Sequence, residues 1–144
     1  DVYKRQLGQK MENIAKCILE SGGSTDIKSK NEAKPVDLKF FHPDGYEYWV
    51  EMKSIFGQNK SNSATIEKEK KIAKEAGKRF LLCVYNEDKE DDDETLSGPS
   101  FWNFIGNDDD TWDNLSKIFE SEGNRFNLHE IVNRKIEDLM DPKD

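Results

Sequence analysis

The chain has 144 residues, the usual size of one domain, of which 34% are hydrophobic and 36% charged, so one modest core under a heavily charged surface is expected. A formal charge of −8 counts against nucleic-acid binding by bulk electrostatics, because neutralised phosphates supply most non-specific DNA affinity, but leaves room for a local basic surface. No apolar run approaches the ~20 residues of a membrane span and no signal peptide with a cleavage site is seen, so a cytoplasmic protein with no membrane partner is expected.

The stretch from Asp1 to Gln6 looks like the translated end of a transposase adaptor used in sequencing libraries. It is set aside, which leaves open what native sequence precedes it. Residues 7–20 read as a helix, with Leu7, Met11, Ile14, Ala15, Ile18 and Leu19 on one face and Gly22-Gly23 to end it. A weak strand follows at 25–28. Residues 35–42 alternate, with Val36, Leu38 and Phe40 on one side and Asp37, Lys39 and Phe41 on the other. Pro43-Asp44-Gly45 is turn chemistry. Residues 46–54, rich in aromatic and β-branched side chains, then read as the second strand of an antiparallel hairpin. Residues 57–63 read as a polar loop, 64–76 as a helix closed by Gly77, 78–86 as a buried strand and 87–99 as an acidic loop. An aromatic anchor lies at 101–105. Two more helices are expected at 111–122 and 127–140, the second opened by Asn127 and Glu130 in a capping-box pattern. The order predicts an α/β sandwich, a small mixed sheet flanked by helices. It is expected as one domain over 1–144, with its core at 7–86 and a helical part at 99–140.

The hairpin carries the chemistry. With the turn centred on Asp44, opposed residues have numbers summing to about 88, which sets His42 opposite Tyr46 and Asp37 opposite Glu51. A two-residue Asp-Gly turn would shift the register by one. Opposed Cα atoms lie ~4.5–5.5 Å apart, and Glu51 and Lys53 share a face because strand side chains alternate. The hairpin can therefore gather Asp37, Glu51 and Lys53, given a register or strand splay that turns Asp37 to that face. Two carboxylates at one site do not both stay ionised cheaply unless something positive is shared. A Mg²⁺ ion, with Mn²⁺ as a substitute, supplies it, with oxygen ligands from Asp37, Glu51, the backbone carbonyl of Met52 and waters. Such an ion lowers the pKa of bound water and neutralises phosphoryl charge, and Lys53 is placed to orient the water or to stabilise developing negative charge. The pattern points to metal-assisted attack on a phosphodiester, with no His, Cys or Ser nucleophile required.

Pro35-Val36-Asp37, thirteen residues, then Glu51-Met52-Lys53 resembles the PD-(D/E)xK nuclease superfamily, with Val36 interrupting the strict Pro-Asp form. The helix-hairpin-helix-strand order is also similar to that superfamily's core, a restriction-endonuclease-like fold. The resemblance implies that Asp37 and Glu51 bind metal and that Lys53 is the catalytic lysine. An acid on the first helix sometimes joins such sites, and Glu12 is the candidate. The small size, the string from Glu51 to Ser54 and the Asn/Ser-rich loop look most like a type II restriction endonuclease. That implies a Mg²⁺-dependent homodimer, of bacterial, archaeal or phage origin, cutting both strands of double-stranded DNA. A repair, junction-resolving or phage nuclease of the same superfamily is the alternative task. From another class, the charge suggests a non-catalytic acidic interaction module or DNA mimic.

Ser54, Gln58, Asn59, Lys60, Asn62 and Ser63 follow the catalytic strand and offer groups that could read base edges, Asn or Gln suiting adenine; a solvated loop is the alternative. Lys68, Lys70, Lys71 and Lys74 could meet phosphates or, interleaved with Glu67, Glu69 and Glu75, serve as solubilising pairs. The literal Pro43-Asp44 lies at the hairpin tip, on the order of 20 Å along a strand from Glu51, and is better explained by the turn. His42 and His129 read as structural or exposed. Trp49, Trp102 and Trp112 read as core or dimer-interface anchors, Cys17 and Cys83 as buried reduced thiols, and the acidic run at 90–94 as solvated.

Overall fold

Ile14, Ile18 and Leu19 recur at helical spacing and are buried. That apolar face, more than intrinsic propensity, holds helix α1 (Val2–Ser21) against the rest of the chain. A computed structural model of the chain describes residues 2–53, 60–85 and 91–121, with side chains over 8–53, 63–85 and 91–118. Helix α1 ends as Gly22-Gly23 predicts: the N–H of Ser24 reaches Leu19 O at 3.0 Å and that of Gly23 reaches Glu20 O at 3.2 Å. Gly23 takes φ +92°, the left-handed cap that glycine adopts without strain.

Strand β1 (Thr25–Ser29), a 3₁₀ turn (Lys30–Ala33), β2 (Leu38–Phe41) and β3 (Glu47–Lys53) follow. Helix α2 (Lys60–Glu75) returns the chain to β4 (Arg79–Val84), and the short β5 (Thr95–Ser97) runs into α3 (Gly98–Gly106) and then α4 (Thr111–Ser121). The strands form one sheet in chain order. β1, β2 and β3 are antiparallel neighbours, whereas β3, β4 and β5 run parallel. The protein is thus α/β with a mixed sheet, as the pattern predicts.

Alternation along β3 and β4 deals side chains to two cores. Tyr48, Val50, Met52, Leu81 and Cys83 pack with Ile14 of α1, Phe101 of α3 and Leu115 of α4. Trp49, Phe80, Leu82 and Val84 pack with Ile66 and Ala73 of α2. The odd-numbered positions of β3 therefore look toward α2, and this places Glu51 and Lys53 on that side.

Several expectations change. Strand β2 begins at Leu38, so Pro35, Val36 and Asp37 precede it, and the Val36 N–H turns back to Ala33 O at 3.1 Å. Helix α2 starts at Lys60, which makes Lys60, Asn62 and Ser63 helical and not part of a loop; Ser54, Gln58 and Asn59 lie outside the described residues. Within the expected acidic loop, Thr95, Leu96 and Ser97 pair with Leu82, Cys83 and Val84, a strand too short to show alternation. The expected helix at 127–140, with Asn127, His129 and Glu130, lies outside the described residues. Among the described residues no helix is long and apolar enough to cross a membrane.

Candidate active site

The hairpin register is the one in which opposed numbers sum to 88: Leu38 pairs with Val50, Lys39 with Trp49, Phe40 with Tyr48 and Phe41 with Glu47. One step beyond β2, Asp37 faces Glu51. Its backbone N–H reaches Val50 O at 3.0 Å, and its Oδ2 accepts the Met52 N–H at 2.8 Å. The chain has left the ladder at this point, and the carboxylate stands in for the missing main-chain acceptor. That splay turns Asp37 toward Glu51, and the two side chains share a hydrogen bond.

Glu51 is buried, and its carboxyl is pushed up to about 9. Burial is the largest cause; the hydrogen bond to Asp37 and the charges of Asp37 and Glu69 add to it, and Lys53 opposes it. Lys53 Nζ lies 3.6 Å from Glu51 Oε2. Two carboxyls in hydrogen-bond contact need a proton between them or a cation in its place, and a single lysine leaves the group short of positive charge.

Glu12, half-buried on α1, is raised to about 7, first by its own burial and then by the charge of Asp37, against a smaller opposing effect of Lys30. It therefore stands within the field of the site. Asp37 also contributes to the raised Cys83 thiol, after burial. Cys83 is buried, Cys17 only half-buried, and neither forms a disulfide.

The sequence pattern misses Glu69. Interleaved with lysines it reads as an exposed partner, yet it is 5% exposed and hydrogen-bonds Glu51. The signal was its spacing: Ile66, Glu69 and Ala73 share the helix face that packs on the sheet. Its carboxyl is raised by burial first and by the charge of Asp37, with Glu51 and Lys53 pulling the other way. Among the lysines of α2, Lys70 does pair, with Glu94 at 3.0 Å and Glu67 at 3.4 Å.

Among the described residues no three acidic, His or Cys side chains converge as a ready-made metal-ligand set. The described residues do form a cleft of about 850 Å³, lined in part by Tyr48, Lys71, Lys74, Arg79, Leu96 and Phe104, but Asp37, Glu51, Lys53 and Glu69 do not line it. The chemistry-bearing residues and this cleft are separate.

Asp44 belongs to the turn. Its Oδ1 accepts the Tyr46 N–H at 3.0 Å and its Oδ2 the Tyr48 hydroxyl at 2.5 Å. His42 is buried and structural: Nδ1 accepts the Asp44 N–H at 3.0 Å, so Nε2 carries the proton it donates to Phe104 O at 2.9 Å. Its ring stacks on Phe104 with centroids 4.2 Å apart. Trp102 and Trp49 are buried, and Trp112 packs half-buried on the larger core. Compared with protein-family models, curated proteins and solved structures, the chain matches none.

Proposed function

We propose that the chain is a Mg²⁺-dependent endonuclease that hydrolyses DNA phosphodiester bonds, most like a type II restriction enzyme of the PD-(D/E)xK superfamily, acting as a homodimer. One observation carries the reading: Asp37 faces and hydrogen-bonds the buried Glu51, with Lys53 Nζ 3.6 Å from Glu51 Oε2. An ordinary strand-end ion pair would not need a second carboxylate against a buried one.

The donor chemistry fits a hard divalent cation. The candidate donors are carboxylate oxygens, which suit Mg²⁺ or Mn²⁺ over metals that favour thiolate or imidazole, and Glu69, hydrogen-bonded to Glu51, has a buried oxygen with no hydrogen-bond partner among the described residues. A cation held by Asp37 and Glu51, with the Met52 carbonyl as a further donor, would neutralise phosphoryl charge and lower the pKa of an attacking water. Asp37 is held in place by the Met52 N–H, so its carboxylate is oriented toward Glu51 before any ligand arrives. Lys53 is half-exposed beside Glu51 and can donate to a water or to a phosphoryl oxygen. Glu12 is the additional acid on the first helix.

Incubation with plasmid DNA tests this. Discrete fragments are expected with Mg²⁺ and none with chelator or with Lys53→Ala. Nicking confined to branched DNA would move the task to repair or junction resolution. No cleavage of any DNA, together with no cation binding by calorimetry, sinks the reading.

A further inference from the structure

Glu69 lies on the buried face of α2 between Ile66 and Ala73. It is 5% exposed, and its Oε2 has no hydrogen-bond partner among the described residues. Among the described residues, its polar and charged partners are Glu51, by a hydrogen bond, and Asp37 and Lys53, by their charges. A buried carboxylate oxygen left without a partner is costly, and the neighbouring positions on this face are apolar. Counting charge points the same way. Among the groups that act on Glu51, Asp37, Glu69 and Glu51 itself carry three negative charges when ionised against the one positive charge of Lys53, and the remainder of this inner group matches one divalent cation; Glu12 and Lys30, farther out, offset each other.

We propose that Glu69 supplies a third carboxylate to the divalent cation held by Asp37 and Glu51, reaching it from α2 while they reach it from the sheet. This rests on the cation-dependent reading above. As they stand the three carboxylates do not converge on one point; Glu51 lies between the other two, hydrogen-bonded to each, and a change of rotamer in the long Glu69 side chain would bring its unpartnered oxygen to the ion. The site would then be closed from two layers of the fold, so that docking of α2 and loading of the ion are coupled.

The test is calorimetric titration of Mg²⁺ and of Mn²⁺ alone, without DNA, into the full chain, alongside melting in chelator. Glu69→Gln is expected to melt no lower than the unsubstituted chain and to bind either ion about 10- to 100-fold more weakly. Glu69→Asp, which keeps the charge but shortens the arm, is expected to weaken binding too and guards against a folding defect in the first variant. Unchanged affinity in both, with Asp37→Asn impaired, overturns the role of Glu69 and leaves the nuclease reading standing. No binding by the unsubstituted chain overturns both.

Discussion

Asp37 Oδ2 takes the Met52 N–H at 2.8 Å, so a single carboxylate both closes the β2–β3 ladder and faces Glu51. Asparagine can keep the first task, since its amide oxygen still accepts, but loses the charge needed for the second. Asp37→Asn is therefore expected to melt close to the unsubstituted chain while losing cation binding in calorimetry. Lys53→Ala is expected to keep the cation and lose about 10²–10⁴-fold in cleavage rate, measured as plasmid conversion in single turnover.

Stability should depend on pH through Glu51. Its carboxyl is raised in the folded chain to about 9 from an unfolded value of about 4.3, so the native state holds a proton that the unfolded state releases. That contribution is fully present below the unfolded value and is lost as pH rises through about 9. Glu12, raised to about 7, adds to the lower part of the same window. Urea midpoints measured in chelator from pH 4 to pH 9 are expected to fall with rising pH, and Glu51→Gln to flatten the fall; equal slopes would refute the assignment. Cation affinity should run in the opposite sense, tightening over that range as the competing protons leave.

Asp44 is the control for the Pro-Asp dipeptide. It bonds the Tyr46 N–H and the Tyr48 hydroxyl and takes no part in the Asp37–Glu51 contact. Asp44→Asn is expected to cost about 1 kcal/mol of stability in chemical denaturation. Calorimetry should find its cation affinity unchanged.

Gly22 allows α1 to meet α3. A Cβ there would stand 2.5 Å from Ile105 O and 2.8 Å from the Gly106 carbonyl carbon, both backbone atoms. Gly22→Ala is expected to destabilise by about 1–3 kcal/mol through overpacking, seen as a lower denaturation midpoint with no change in cation affinity per folded molecule.

The sequence made Asp37, Glu51 and Lys53 legible because a hairpin has only two simple periodicities to read: alternation along each strand and a count from the turn. The remaining ambiguity, a one-residue shift, was resolved by His42, whose N–H pairs with Tyr46 O at 3.0 Å and leaves Asp44 at the apex. Glu69 was obscured because its charge, set among lysines, outweighed its place in the Ile66–Ala73 spacing. Burial of a polar side chain depends on what lies across the gap, here Glu51, and a single helix pattern does not contain that. Strand β5 was hidden for a related reason: three residues acquire their extended form from the exposed edge of β4, not from their own alternation.

The hairpin tip behaves as a phase setting for a site it never touches. His42, Asp44 and Tyr46 lock the apex through the bonds described above, and every pair down the ladder inherits that phase as far as Asp37 and Glu51. A residue inserted between His42 and Tyr46 that slipped β2 by one place would rotate Asp37 to the opposite face and present an apolar neighbour to Glu51. The length of this tip therefore decides which residue of β2 meets Glu51, although it lies at the far end of the hairpin.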